Sequence, residues 1–260
     1  MSTTSFLARG MGEEVQGHQA RQPLSLRGPV LQLFGGPRVI IDGHPVTPPE
    51  SGQRLLAWLA LQDTAVQRHR VAAELWPRVD RARADGNLRT ALWRLHGADL
   101  DLVDSDGPEL RLRGDVVVDA RLLVAWATRI IKGATRSEDL ALAPRIEEGL
   151  CVLPGWCDEW ILMARESLRA TVLEALEVLS RRLNAEGRFA EAVEAAVIAV
   201  GADPLRESAQ DALLSAHLAE GNLVEAHRAR DAYCRILDQE LGVQLPPLQV
   251  SPTAWERGVA

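Results

Sequence analysis

The spacing of apolar residues differs between the two halves of the chain. Between residues 29 and 118, short stretches of alternating apolar and polar positions flank stretches with helical spacing. From 119 to 245 the spacing is helical throughout, whereas 1–28 and 246–260 show no period. The pattern predicts a mainly α fold with a mixed domain over 29–118, an all-α domain over 119–245, a flexible arm and a tail.

Short β-type segments are found at both ends of the mixed domain. Val30–Phe34 and Arg38–Ile41 are separated by the turn residues 35–37, and Asp42-Gly43 follows the second segment. This arrangement predicts a small antiparallel meander. Near the other end, two alternating runs surround Asp106-Gly107, which is a strong signal for a β-hairpin.

Three helices are predicted between these β segments. Gln53–Leu61 carries leucines at helical spacing, Val71–Trp76 ends before Pro77, and the third helix covers Asp85–Gly97. The link from Pro77 to Asp85 is longer than the turn of a plain helix-turn-helix. Short strands, three helices and a final hairpin, in this order, predict a winged helix-turn-helix domain.

The third predicted helix has two contrasting faces. At about 100° per residue, its apolar residues fall on one side, which is expected to face the core. These residues are Ala84, Leu88, Ala91, Leu92 and Leu95. The opposite side collects Arg83, Asn87, Arg89, Thr90, Trp93 and Arg94. Solvated faces more often carry Glu and Lys, so arginines around an outward tryptophan favour nucleic-acid recognition, although a merely solvated helix remains the alternative.

In a winged helix this outward face enters the major groove of DNA. Arg89 and Arg94 are candidates for guanine edges or phosphates, and Asn87 for an adenine or a phosphate. Thr90 and Trp93 are candidates for packing on thymine methyl groups or sugars. These five residues form the predicted base-reading set.

Further arginines are candidates for phosphate contacts. Arg81 and Arg83 lie near the start of the third helix, and Arg70 lies at the start of the second. The segment 68–94 holds seven arginines against three acidic residues in a chain whose net charge is −7. A local positive charge on an acidic protein is typical of an anion-binding surface.

The predicted hairpin offers a second set of basic residues. Arg111 and Arg113 alternate with leucines, so both are expected to point outward and to be candidates for DNA contact. Acidic residues lie at or beside the tip of the hairpin, namely Asp104, Asp106 and Glu109. The alternative that the two arginines pair with these acids is equally open.

An internal repeat marks the helical half. "NAEGRFAEAVEAA" begins at Asn184 and "LAEGNLVEAHRAR" begins at Leu218, an offset of 34 residues. This is the period of tetratricopeptide (TPR) helical hairpins. Two such repeats rarely suffice alone, so the helices of 119–149 are expected to supply a third pair. Asp119 and Ser137 are the candidate N-caps there, and Pro144 is expected to interrupt the second helix.

The sequence lacks the signatures of enzymes and metal sites. It contains no G-x-S-x-G, H-E-x-x-H, C-x-x-C or P-loop motif, its three cysteines are widely spaced, and its six histidines are scattered. We therefore expect no catalytic activity, no cofactor and no metal. No run of about 18 apolar residues and no signal-peptide core is present, so we expect a cytoplasmic protein without membrane contact.

Several motifs resemble the Streptomyces antibiotic regulatory protein (SARP) family over about residues 29–243. In the first half they are "RLLAWLALQ", "VAAELWP" and "NLRTALWRL"; in the second half they are "LPGWCDEWILMARESLR", the "AEGRFAEA" and "AEGNLVEA" pair, and "ILDQELGVQLPP". The chain departs from the family at Cys157, where an aromatic residue is usual, and after residue 243. The resemblance implies an OmpR/PhoB-type winged helix followed by a bacterial transcriptional activator domain (BTAD) built from TPR-like helices.

The same resemblance implies a function. Family members of the small, ATPase-free type are DNA-binding activators of antibiotic gene clusters. They bind direct repeats near the −35 promoter region, often as side-by-side protomers, and recruit RNA polymerase holoenzyme through sigma and other subunits. A TPR-type interaction module whose winged helix binds a protein is the alternative. A DNA reader would depend on Arg89 and Arg94, whereas a protein-binding surface would depend more on Trp93.

Overall fold

A computed structural model describes residues 28–105, 107–141 and 146–244 of the chain. The predicted tail and all but the last residue of the predicted arm lie outside these residues. Asp106 of the predicted hairpin turn and Pro144 also lie outside them.

A four-stranded sheet opens the fold. Its strands are β1 (Val30–Gln32), β2 (Arg38–Ile41), β3 (His44–Val46) and β7 (Val117–Val118), in the order β3-β2-β1-β7. The first three strands pair antiparallel, which confirms the predicted meander. The fourth strand was not predicted: it runs parallel to β1, with Leu31 opposite Val118.

Three helices and a second, three-stranded sheet complete the N-terminal half. The helices are α1 (Glu50–Ala60), α2 (Arg68–Leu75) and α3 (Arg81–Gly97). The sheet contains β4 (Val66–Gln67), β5 (Val103–Asp104) and β6 (Glu109–Leu112), in the order β4-β6-β5. The strands β5 and β6 are antiparallel and form the predicted hairpin, which we call the wing. The predicted order of elements of a winged helix is therefore confirmed.

The predicted bounds of the link between the second and third helices were wrong, although the link is still longer than the three- or four-residue turn of a plain helix-turn-helix. The helix α3 begins at Arg81, four residues before the predicted start, so the link contains only residues 76–80. The side chain of Asp80 accepts a hydrogen bond of 2.9 Å from the backbone amide of Arg83. This N-cap stabilises the first turn of the helix, where two predicted phosphate-binding arginines lie.

The C-terminal half is helical. It contains α4 (Asp119–Lys132), a 3-10 turn (Ser137–Leu140), α5 (Ile146–Gly149), α6 (Glu159–Ala185), α7 (Phe189–Ala202), α8 (Glu207–Glu220) and α9 (Leu223–Leu241). The predicted repeat is confirmed, since α6 with α7 and α8 with α9 form two successive hairpins. Gly187 and Gly221 take φ values of +75° and +81° at the equivalent turns, where glycine avoids the strain of a side chain.

The predicted third helix pair was wrong in the length of its second member, although that member is interrupted as the sequence predicts. The helix α4 forms and packs on α6, but the predicted helix after it consists of the 3-10 turn and the four-residue α5. Both predicted caps were also wrong. Asp119 is the first residue of α4, and its carboxylate accepts hydrogen bonds of 2.9–3.1 Å from the amides of Leu33 and Phe34. Ser137 is likewise the first residue of its turn, with Arg136 at the N-cap position.

One hydrophobic core extends through both halves. The buried leucines of α1 and α3 belong to the same cluster as those of α4 and α6. Polar contacts also join the halves: Arg54 of α1 pairs with Asp158, just before α6, at 2.8 Å. Arg121 of α4 donates to the carbonyl oxygens of Leu59 and Ala60 at 3.0 and 2.9 Å. The position of α3 relative to the helical half is therefore fixed by packing and by hydrogen bonds.

Candidate nucleic-acid interface

The helix α3 packs against α1 and α2 through the face that the sequence predicts. Ala84, Leu88, Ala91 and Leu95 are each at most 3% exposed, and Leu92 lies half-buried beside them. Gly52 of α1 allows this close packing. A Cβ atom at that position would lie 2.6 Å from Cδ2 of Leu95. The opposite face of α3 is thereby held towards solvent.

The outward face of α3 presents a tryptophan. The side chain of Trp93 is 73% exposed, the largest exposure among the large hydrophobic side chains that the structure describes as exposed. Thr90 lies one turn before it, and its hydroxyl donates to the carbonyl oxygen of Gly86 at 3.0 Å. A single exposed tryptophan is not by itself a sign of an interface, so its meaning depends on the residues around it.

Arginines lie on both sides of this tryptophan. Arg89 lines an open cavity together with His69 of α2 and Pro108 of the wing turn, so it faces the α2 and wing side. At 100° per residue, Arg83 and Arg94 lie on the other side of Trp93. Asn87 is half-buried at the edge of this face, away from its centre.

Most of the arginines predicted to contact DNA have no carboxylate partner in the described part of the chain. Within the described part of the chain, no carboxylate lies within 4.0 Å of the guanidinium nitrogens of Arg70, Arg83, Arg89 or Arg94. All four side chains are exposed. Arg81 is 82% exposed at its side chain and lies 4.0 Å from the Asp85 carboxylate, a distance at which solvent screens most of the attraction. These arginines keep the charge that binding of a polyanion requires.

The two wing arginines are paired. Arg111 donates from Nε to the carboxylate of Asp104 at 2.8 Å. Arg113 forms an ion pair of 2.5 Å with Asp115 and donates to the carbonyl oxygen of Asp101 at 2.6 Å. The hydrogen bond from Arg113 lowers the pKa of the Asp115 carboxyl, so both groups stay charged over a wide pH range. Pairing with an acid beside the hairpin tip, which the sequence left open, thus describes Arg111, whereas Arg113 pairs with Asp101 and Asp115, which the sequence did not indicate.

The sequence did not indicate a separate role for Arg68, another basic residue of this surface. In the sequence, Arg68 is only one member of the positive segment 68–94. In the structure, its guanidinium donates to the carbonyl oxygen of Gly107 at 2.9 Å and to that of Ser105. No local signal could identify this role, because the acceptors lie 37 and 39 residues further along the chain.

Other kinds of site were sought in the same residues. Among the described residues, no group of three or more His, Cys, Asp or Glu side chains is placed to hold a metal ion. In the described part of the chain, no helix has the length and apolar character needed to cross a membrane.

Comparison with known proteins identifies the helical half. Residues 146–249 match the family model described as the bacterial transcriptional activator domain. Among curated proteins, none matches the chain significantly.

A solved structure shares the fold of both halves. The chain is similar to EmbR of Mycobacterium tuberculosis, solved in complex with a low-affinity phosphopeptide, with a TM-score of 0.61 and 20% sequence identity. The alignment covers 88% of this chain and 63% of the EmbR chain, so this chain spans less than two thirds of its relative. The activator-domain match and this shared fold agree with the resemblance to the SARP family that the motifs indicate.

Proposed function

We propose that this SARP-type protein is a sequence-specific DNA-binding transcriptional activator. The observation that carries the proposal is the outward face of α3, where Trp93 is 73% exposed between arginines without a carboxylate partner among the described residues. A protein surface with this combination of unpaired guanidinium groups and a flat aromatic ring suits a DNA groove, which offers phosphates, base edges and methyl groups.

The geometry supports a division of roles within the surface. Arg89 and Arg94, on opposite sides of Trp93, are placed to reach base edges or phosphates along both walls of a major groove. Thr90 and Trp93, at the centre, suit thymine methyl groups or sugars. Asn87, at the half-buried edge, suits a phosphate better than a base.

The remaining arginines of the surface are proposed to hold the DNA backbone. Arg70, Arg81 and Arg83 are exposed around the starts of α2 and α3, where helix dipoles also favour anions. Arg111 and Arg113 contact DNA only if a phosphate competes with their carboxylate partners. They are therefore proposed to contribute less to DNA affinity than Arg70, Arg81 and Arg83.

The activator domain supports the second part of the proposal. We infer that, in the cytoplasm, the helical half contacts RNA polymerase holoenzyme through sigma or another subunit, and that the target is an antibiotic gene cluster with direct repeats near the −35 region. Protomers on direct repeats meet head to tail, so side-by-side binding needs no stable dimer in solution. The proposed activity is non-enzymatic and uses no cofactor or metal.

The first experiment is selection of bound genomic fragments by the purified protein and by the double variant Arg89→Ala/Arg94→Ala. We expect enrichment of direct repeats by the wild type and its loss in the double variant. A matched control is Arg228→Ala/Arg235→Ala, which removes the same charge from exposed positions of α9. Loss of one bidentate base contact should weaken binding by about 1–3 kcal/mol and relax specificity at one base.

The same selection distinguishes the alternative of a protein-binding winged helix. The exposure of Trp93 is the observation that favours this alternative. If a folded wild-type protein enriches no sequence even at low salt, autonomous DNA recognition is excluded. Partner capture that depends on Trp93 but tolerates the Arg89→Ala/Arg94→Ala change would then support protein binding.

A further inference from the structure

The first residue of α2 is attached to the turn of the wing by its side chain and by its backbone. The Arg68 guanidinium donates from Nε to the carbonyl oxygen of Gly107 at 2.9 Å and from Nη2 to that of Ser105. The backbone amide of Arg68 donates to the carbonyl oxygen of Pro108 at 2.8 Å. Three carbonyl groups of one turn therefore converge on a single residue.

Among the described residues, few other polar contacts join the wing to α2 and to β4, the strand just before it. The strand β4 pairs with β6 over only two positions, Val66 with Leu110 and Gln67 with Glu109. The Gln67 side chain adds one exposed hydrogen bond of 2.8 Å to the Glu109 carboxylate. Leu110 and Leu112 of β6 are buried in the core and hold the strands of the wing, so the Arg68 contacts act on its turn.

The turn lies next to a predicted base-reading residue. Arg68 and Pro108 line the same open cavity as Arg89 of α3. A shift of the turn would therefore change the surface beside Arg89 and would also move Arg111, which lies further along β6.

We propose that Arg68 is a positioning residue: its guanidinium fixes the wing relative to α3 by holding the carbonyl groups of Ser105 and Gly107, and it acts on DNA through that geometry. The backbone bond to Pro108 does not depend on the side chain. The inference rests on the proposed function for its effect on DNA, but the positioning itself is a property of the free protein. The planar guanidinium presents Nε and Nη2 as an adjacent pair of donors, which an ammonium group cannot reproduce.

A direct phosphate contact by Arg68 is the competing explanation. That role needs the positive charge, which lysine keeps, whereas positioning needs the fork of donors, which lysine lacks. Arg68→Lys and Arg68→Gln therefore separate the two roles. Arg70→Gln is the matched control. Arg70 lies two residues from Arg68, carries the same charge, and its side chain has no partner among the described residues.

The first test is amide hydrogen exchange of the free, full-length protein. In both Arg68 variants, the backbone amide hydrogens of wing residues 103–112 should exchange about tenfold faster than in the wild type, while those of α1 and α3 exchange as before. The Arg70→Gln control should leave the wing unchanged. Unchanged wing exchange in Arg68→Gln would overturn the proposal, and Arg68→Lys provides the second measurement if the glutamine variant fails to fold.

The second test is DNA affinity against salt concentration, with a fragment enriched by the wild type. We expect Arg68→Lys to lose as much affinity as Arg68→Gln, about three- to tenfold, because both lose the anchor. Arg70→Gln should instead lose affinity with a flatter salt slope. Wild-type affinity in Arg68→Lys would identify a phosphate contact and contradict positioning. If the wild type binds no DNA, the proposed function fails, and the exchange experiment still decides the role of Arg68.

Discussion

At the scale of single residues, two glycines in neighbouring helices have opposite surroundings. Gly52 of α1 lies where α1 crosses α3, and a Cβ atom there would come within 2.6 Å of Leu95 Cδ2 and 2.9 Å of Leu95 Cγ. Gly86 lies on the outward side of α3, where an added Cβ would meet only Nη2 of Arg89, at 3.7 Å. The same substitution is therefore expected to change stability in opposite directions.

We predict that Gly86→Ala raises the free energy of unfolding by about 0.5–1 kcal/mol, because alanine loses less conformational entropy in a helix. Gly52→Ala should lower it by about 1–3 kcal/mol, because Leu95 is buried and has little room to move. Urea denaturation of both variants measures the two effects, and each serves as the control for the other. A stabilising Gly52→Ala would mean that α1 and α3 are less closely packed than described.

Residue roles could be predicted from the sequence where they depend on local periodicity. The buried and exposed faces of α3 follow from helical spacing, and Trp93 is exposed as that spacing indicates. The roles of Arg68 and Asp119 could not be predicted in this way. The partners that define these roles, Ser105 and Gly107 for Arg68 and Leu33 and Phe34 for Asp119, lie between 37 and 86 residues away along the chain, and only the folded structure brings them together.

At the scale of elements, a buried carboxylate organises the segment after α4. Asp139 is 3% exposed and accepts hydrogen bonds from Arg129 at 2.9 and 2.6 Å and from the backbone amide of Arg136 at 3.0 Å. Trp126 donates from its indole N–H to the Asp139 carbonyl oxygen at 3.1 Å. The hydrogen bonds from Arg129 lower the pKa of the Asp139 carboxyl to about 2, against an ordinary value of 3.8.

This shift predicts a pH dependence of stability. A carboxyl whose pKa is lowered by folding stabilises the protein above its unfolded pKa, and this contribution is lost as the pH falls through the folded pKa. We expect Asp139→Asn to cost about 2 kcal/mol of unfolding free energy near pH 7, and this cost to shrink as the pH falls from about 4 to about 2. Denaturant unfolding of both proteins across this range provides the measurement.

Glu174→Gln is a suitable control for this pH dependence, since Glu174 is exposed and its carboxylate pairs with no arginine among the described residues. Its stability should follow that of the wild type at every pH. A difference between Asp139→Asn and the wild type that stays constant down to pH 2 would show that Asp139 acts through packing and not through its charge.

The order of the elements was largely predictable, whereas their ends and shortest members were not. The repeat of 34 residues identified both helical hairpins because each turn repeats the same Ala-Glu-Gly sequence. The strand β7 has only two residues and exists because β1 lies beside it, so no local pattern could indicate it. The short link before α3 depends on the capping side chain of Asp80. The spacing of apolar residues does not reveal where such a cap starts the helix.

At the scale of the whole molecule, the winged helix and the helical half depend on each other. The carboxylate of Asp119 satisfies the amides of Leu33 and Phe34, and the carbonyl oxygen of Leu33 accepts from the amide of Leu153 at 3.1 Å. Arg121 satisfies carbonyl groups at the end of α1. Separation at the proposed boundary after residue 118 would remove these contacts between the halves.

We therefore predict that the full chain unfolds in one thermal transition, with coincident far-UV circular dichroism and tryptophan fluorescence. A fragment of residues 1–118 should melt about 8–16 °C lower, because losing charged hydrogen-bond partners costs roughly 2 kcal/mol and a domain of this size loses about 4–8 °C per kcal/mol. A fragment of residues 1–132 keeps Asp119 and Arg121 and should recover part of this loss.

Two separate transitions in the full chain, or a 1–118 fragment as stable as the whole, would show that the halves fold independently.

The expected single transition has a consequence for the proposed function. If α3 is bound in a major groove, the common core and the contacts of Arg54, Asp119 and Arg121 hold the activator domain at one position and angle relative to the DNA. Recruitment of polymerase would then depend on the spacing between the binding site and the promoter. Inserting five base pairs, about half a helical turn, should abolish activation, while inserting about ten should restore it in part.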